Sequence, residues 1–203
     1  MLAATSAGLL ATPVAATQMT GQAAAHPAAS PAAPPAQPST AQPAGGGAVP
    51  PATPPTLSLV FTARITVGPA IEQGVVDGQR KRLIPITGGT VAGPRINGTI
   101  PPGGGDWQSI HADGLTIIGA RYTIIHADGT PIAITNPGVR VASPDVIARL
   151  SAGQIVDPAL YYFRTAPSFD VADGPHAWLR RTLFVGRGIR MPDHVVLQCY
   201  AVG

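Results

Sequence analysis

Apolar and polar residues alternate with a period of two through most of the chain after residue 56. In LSLVFTARITV (57–67), Leu57, Leu59, Phe61, Ala63, Ile65 and Val67 share one face. Ser58, Thr62, Arg64 and Thr66 share the other, and Val60 is out of phase. Such alternation predicts a half-buried β-strand. HVVLQCYAV (194–202) repeats the pattern less cleanly. Asp-Gly pairs occur at 77–78, 113–114, 128–129 and 173–174. Between β-rich runs, Asp-Gly favours type I′ hairpin turns, so DWQSIHADG-LTIIGARYTIIHADG-TPIAITN predicts three antiparallel strands in a meander. Asn136-Pro137-Gly138 reads as a further turn. Tyr161 to Thr165 reads as one strand, and Trp178 as the start of another.

One helix stands out. Ser143 supplies an N-cap, Pro144 the first helical position and Asp145 an acid in the first turn. Val146, Ile147 and Leu150 form an apolar stripe, and Gly153 is the stop. A single short helix among nine or ten strands predicts an all-β fold. Closing the meander into an antiparallel barrel removes exposed edges, so a barrel is the expected architecture and a β-sandwich the alternative.

Composition divides the chain. All Asp, Glu, Lys and Arg lie between Arg64 and Asp193. The opening MLAATSAGLLATPVAA (1–16) is mildly apolar, too short and interrupted to span a bilayer, and ends in small residues. It reads as a truncated export signal or as an Ala-rich tail. Residues 17–56 are rich in Pro and Ala and read as a disordered, semi-rigid linker. Residues 57–203 are enough for one domain with a real core. The export signal implies a periplasmic or secreted protein; a mere tail would leave it cytoplasmic.

The sequence carries no nucleotide-binding glycine loop before a helix and no Gly-x-Ser-x-Gly. Cys199 falls on an apolar strand face and reads as an inert buried thiol. Nucleic-acid binding is not expected: the net charge is +3, and the basic run Arg80-Lys81-Arg82 reads as a solvated hairpin arm. Ser109, His111 and Asp113 are too far apart along a strand for a hydrogen-bonded triad. His111 and His126, in the repeated His-Ala-Asp-Gly, fall at opposite ends of one strand and cannot share a metal. His176 and His194 show no ligand spacing, so no metal ligand and no cofactor are assigned.

The informative polar residues are Asp106 and Trp107 after a Gly-rich loop, Arg121 and Tyr122 in an apolar strand, Arg140, the run Tyr161, Tyr162 and Arg164, and Trp178. A guanidinium among apolar neighbours needs a partner. In a functional reading, Arg121, Arg140 and Arg164 converge in a barrel mouth with Tyr162 and Trp107, where they would bind a carboxylate, phenolate or enolate. Asp106 would then be the general base. In a structural reading, the same arginines pair with Asp106, Asp128 or Asp157 as internal buttresses.

GPRINGTIPPGGGDWQ, then DG, ARYT, DGTPI, NPGVR, AGQIVDPALYYFRTAPSF and AWLRRTLFVG occur in an order that resembles the family called domain of unknown function 3237, over about residues 57–202. The resemblance implies a compact, lipocalin-like β-barrel and no established activity. It maps the family's recurrent polar positions onto Asp106, Trp107, Arg121, Tyr122, Arg140, Tyr161, Tyr162, Arg164 and Trp178. The sequence departs from the pattern at His111, Gly119 and Arg180. Loss of an acid at 119 would leave Arg121 free for a ligand or another partner.

Three functions are compatible with this reading. The first is a small-molecule-binding barrel that performs isomerisation, cyclisation or hydration on an anionic or enolisable, aromatic-like substrate. The others are a carrier without turnover and an envelope interaction protein on a Pro-rich stalk. A homo-oligomer is compatible with each.

Overall fold

The computed structural model describes residues 52–203. The export-signal reading of residues 1–16, and all of the linker reading except its last five residues, lie outside them. The described residues form eleven strands and one α-helix. The strands are β1 (Leu57–Val67), β2 (Ile71–Val76), β3 (Gln79–Ala92), β4 (Gly98–Ile100), β5 (Gly104–Ile110), β6 (Leu115–His126), β7 (Pro131–Val141), β8 (Tyr162–Thr165), β9 (Ser168–Val171), β10 (Phe184–Arg190) and β11 (His194–Val202). The helix, α1 (Pro144–Ser151), follows β7.

The sheet closes on itself. Antiparallel pairings run β3–β1–β11–β10–β8–β7–β6–β5 and back to β3, an eight-stranded barrel rather than a sandwich. β4 continues the β5 position between β3 and β6, β9 continues β8 along β7, and β2 adds to β3. The meander expected over residues 106–136 is β5–β6–β7.

Three local expectations need correction. Asn136-Pro137-Gly138 is not a turn, because β7 runs through it, with Ala120 opposite Asn136 and Gly119 opposite Pro137. Trp178 lies in a short 3-10 helix, Ala177–Arg181, not in a strand. Asp77-Gly78 has positive φ at both residues, as a type I′ turn requires. At 113–114 and 128–129 only the glycine does. There the aspartate side chain accepts the N–H two residues on, from Leu115 at 3.1 Å and Thr130 at 2.9 Å.

The out-of-phase Val60 has a physical cause. A register shift between Leu59 and Phe61 turns both Val60 and Phe61 inward and leaves Leu57 and Leu59 exposed. Helix α1 forms as its sequence predicts: the Ser143 hydroxyl accepts the Val146 N–H at 3.4 Å, and Gly153 has φ 74°. Its Val146 and Leu150 pack on Ile118, Tyr161 and Phe163, covering one end of the barrel. The other end is a dry core around Phe61, Ile124, Ile132, Phe169, Phe184 and Leu197, with Leu179 of the 3-10 helix buried in it. No helix among the described residues is long and apolar enough to cross a membrane.

Candidate functional site

Between the dry core and α1, inward-facing polar residues interrupt the apolar lining. Alternation decides which they are. β3 sends Arg82, Ile84 and Ile86 inward, and β5 sends Asp106, Gln108 and Ile110. β6 sends Ile118, Ala120 and Tyr122, and β7 sends Asn136 and Arg140. Phe163 and Thr165 of β8, Arg190 of β10, Val195 and Leu197 of β11, and Ile65 and Val67 of β1 complete a cavity to which all eight staves contribute. Inward positions 186 and 188 of β10 are glycines. A Cβ at 186 would stand 2.2 Å from Thr165 Oγ1, and one at 188 would stand 2.5 Å from the Phe163 ring. Only glycine lets β10 approach β8 this closely.

The cavity leaves about 40 Å³ for the centre of a water-sized sphere. One water needs roughly 10–15 Å³ on that measure, so the space suits a carboxylate or enolate head group. A whole aromatic molecule requires lining side chains to move. Val67, Arg82, Ile84 and Arg190 also line an outer cleft formed by Gly68 to Ala70 and Leu150 to Gly153. Arg82 and Arg190 therefore stand where the cavity meets the surface beside the C-terminus of α1.

A hydrogen-bonded chain crosses β3 and β5. Arg82 Nε donates to Gln108 Oε1 at 2.9 Å, and Gln108 Nε2 donates to Asp106 Oδ2. Asp106 Oδ1 accepts the Gly119 N–H at 3.1 Å. Burial raises the Asp106 carboxyl above its ordinary range. The bonds from Gln108 and Gly119 and the charges of Arg140 and Arg82 oppose this without cancelling it.

Arg140 is 1% exposed, and its Nε and Nη2 have no hydrogen-bond partner. Its Cζ lies 5.9 Å from the centroid of the Phe163 ring, opposite it on β8. Burial lowers the guanidinium to about 10, so it is still a cation at neutral pH. Tyr122 Oη, Asn136 Oδ1 and Thr165 Oγ1 are also buried without partners. Arg190 Nη1 donates to the His194 carbonyl at 3.1 Å and to that of Met191. Three guanidiniums against one carboxyl give the cavity an excess of positive charge.

Of the residues singled out from the sequence, Asp106, Tyr122 and Arg140 line this cavity. The expected convergence of Arg121, Arg140 and Arg164 with Tyr162 and Trp107 does not occur. Trp107, 48% exposed, lies beside Arg121 in a depression on the outer wall. Tyr162, 52% exposed, and Arg164 lie in another, with the Arg164 Cζ 5.0 Å from the Tyr162 ring centroid. Each sits one residue off an inward position. Tyr161 is buried, and its hydroxyl accepts the Arg190 N–H at 3.0 Å. Trp178 packs at the dry end, under the Arg95 guanidinium at 3.4 Å and against Phe184. The buttress reading fares no better, since no ion pair joins Arg121, Arg140 or Arg164 to an aspartate among the described residues.

Sequence reasoning missed Arg82, Gln108 and Arg190. Arg82 is not part of a solvated arm: it is 5% exposed. The signal was present, because the alternation Ile86, Ile84 continues to position 82. Cys199 is fully buried, and burial pushes its thiol up to about 12.

A family model described as "Protein of unknown function (DUF3237)" matches residues 55–202. A UPF0311 protein of Clostridium acetobutylicum is 39% identical over 144 residues, 70% of this chain and 91% of that protein. The crystal structure of a conserved protein of unknown function from Rhodopseudomonas palustris superposes with a TM-score of 0.72 at 33% identity. That match covers 75% of this chain and all of the other. A "Hydroalkoxylation enzyme phnH" of Penicillium herquei is 41% identical over 81 residues, 40% of this chain and 54% of that protein.

Proposed function

Because the chain belongs to the DUF3237 family across its whole barrel, we propose that the polar cavity is its working site. It binds a small organic anion or an enolisable carbonyl compound, and Asp106 carries a proton to or from the bound molecule. The observation that carries this reading is Arg140: a buried cation with two unpartnered nitrogens in a cavity wall. An isolated buried charge costs several kcal/mol unless something pairs with it. A bound oxyanion is such a partner, and a guanidinium matches a planar anion bidentately.

The chemistry follows from the groups present. The Asp106 carboxylate takes an α-proton from a ketone, and the enolate oxygen meets the Nε–H and Nη2–H of Arg140. Return of the proton to another carbon gives an isomer. In a ring closure, a substrate hydroxyl loses its proton to Asp106 as its oxygen bonds to a conjugated alkene carbon. Arg140 holds the resulting enolate, and Asp106 returns the proton to the α-carbon. Burial raises the carboxyl, which makes the carboxylate a better proton acceptor than an ordinary aspartate. Arg82 and Arg190 at the cavity entrance favour anions. The relative named a hydroalkoxylation enzyme supports a barrel of this kind hosting addition of O–H across C=C.

The test is hydrogen exchange. The full chain is incubated in D2O with a panel of 1,3-diketones and aryl ketones, and α-deuteration is followed by NMR. Exchange above background, abolished by Asp106→Asn, is expected. Arg140→Met should slow it by about 10²–10³-fold, the cost of losing an oxyanion donor. Anion binding that depends on Arg140 without exchange would identify a carrier instead. The absence of both binding and exchange would overturn the assignment of the site.

A further inference from the structure

The cavity leaves a second polar cluster unexplained, at the dry end of the barrel. His126 ends β6, Asp128 lies in the β6–β7 turn, and His176 immediately precedes the 3-10 helix. His126 Nδ1 is 2.9 Å from Asp128 Oδ1, and His176 Nε2 is 2.8 Å from Asp128 Oδ2. The three ligand atoms lie within 4.8 Å of one another, and the ring centroids are 4.2 Å apart. Both imidazoles are mostly buried, whereas the carboxylate is 45% exposed. None of the three lines the cavity.

Hydrogen bonding alone leaves a conflict at His126. The Asp128 backbone N–H points at Nδ1 from 3.3 Å. A ring nitrogen that accepts this bond carries a lone pair and no proton. It then faces Oδ1 at 2.9 Å, lone pair against lone pair. If Nδ1 is protonated instead, the backbone N–H faces another N–H. A cation resolves the first arrangement by taking the place of the Asp128 N–H on Nδ1: the single ring lone pair and a lone pair of Oδ1 then both point at the ion instead of at each other. The Thr130 N–H, 2.9 Å from Oδ1, orients the carboxylate as an outer-shell partner orients a ligand.

We propose that His126 Nδ1, His176 Nε2 and the Asp128 carboxylate bind one divalent first-row transition-metal ion, with Zn²⁺ the appropriate probe. Two imidazoles and a carboxylate suit zinc, nickel or copper over magnesium or calcium. Bonds of about 2.0–2.2 Å in a tetrahedron set ligand atoms ~3.3 Å apart. The two contacts to the carboxylate therefore open by a few tenths of an ångström, and the two imidazole nitrogens, within 4.8 Å of each other, close by at most about 1.5 Å. The exposed side of Asp128 leaves a fourth position for water. Bound there, the ion ties the β6–β7 turn to the segment carrying Leu179 into the core. It acts as a fastener of the closed end rather than as a reagent in the cavity.

The full chain, stripped with EDTA, is titrated with ZnCl2 by calorimetry and by thermal unfolding, and with Co²⁺ by visible absorption. One equivalent of Zn²⁺ bound at the site, a raised Tm and the intense bands of four-coordinate Co²⁺ are expected. Asp128→Asn keeps the turn's acceptor, and His176→Phe keeps the ring. Each should weaken Zn²⁺ by more than the roughly 10–100-fold that loss of an outer-shell hydrogen bond costs. His194→Gln, beside Asp193, should change nothing. No binding by the unsubstituted chain, or equal binding and equal Tm gain in Asp128→Asn and His176→Phe, would overturn the proposal.

Discussion

Arg140 and Asp106 line the same cavity and do not form an ion pair. Asp106 is engaged by Gln108 and Gly119 instead, and the Nε and Nη2 of Arg140 are left without partners. A barrel built only for stability would pair these charges or replace them. Arg140→Met keeps most of the volume and removes the uncompensated charge. Chemical denaturation of the ligand-free protein should show the variant more stable, by about 1–4 kcal/mol. The gain should fall toward the lower end, because Asp106 loses a favourable charge. The same substitution should abolish anion binding.

The raised Asp106 carboxyl fixes the sign of a pH effect. The folded state holds this proton more tightly than the unfolded chain. Its contribution to stability is therefore fully present below the ordinary carboxylate range, and it is lost as pH rises through the folded value. Asp106→Asn cannot titrate. Urea melts from about pH 4 to pH 8 should show wild type losing ground to Asp106→Asn as pH rises, then running parallel. A difference that grows in the opposite direction would contradict burial as the dominant cause.

Inner and outer arginines should separate cleanly. Arg121→Ala and Arg164→Ala act on the outer wall and should leave the affinity for a small carboxylate such as benzoate unchanged within about twofold. Arg82→Ala and Arg190→Ala remove guanidiniums from the cavity entrance and should weaken binding roughly 10–100-fold, the range of a hydrogen bond to a charged group. Isothermal titration across the four variants checks this.

Cys199 is enclosed between strands, and its thiol is pushed up to about 12. Iodoacetamide at neutral pH should leave it unmodified in the folded protein and label it once the chain is unfolded. Mass spectrometry then converts labelling into a measure of barrel opening.

Much of the barrel was legible because strands advertise their period. The meander was readable from the Asp-Gly pairs, and the helix from its Ser-Pro-Asp start and its stop at Gly153. The inward face of β6 was not, because both faces of LTIIGARYTIIH are apolar; only neighbouring strands choose Tyr122 over Arg121. Arg82 was hidden inside Arg80-Lys81-Arg82, which looks like a solvated run although alternation places its third member inward. Arg190 was hidden by Gly186 and Gly188, which interrupt the apolar signal of β10 while holding its phase. The approach of His176 to Asp128, 48 residues away, depends on tertiary folding that no local spacing encodes.

The ring closes where β1 meets β11. Leu57 is opposite Val202, and Thr56 and Gly203 exchange backbone hydrogen bonds of 2.7 and 3.0 Å. The β3–β5–β6–β7 portion joins strands that are close in sequence and can assemble while the chain is being made. The β1–β11 seam spans nearly the whole domain and cannot form until Val202 has left the ribosome. Until then β1 has an open edge and the apolar lining has no far wall. The nascent barrel therefore passes through an interval in which an unpaired strand is available to other chains, and pairings of such long sequence separation slow folding.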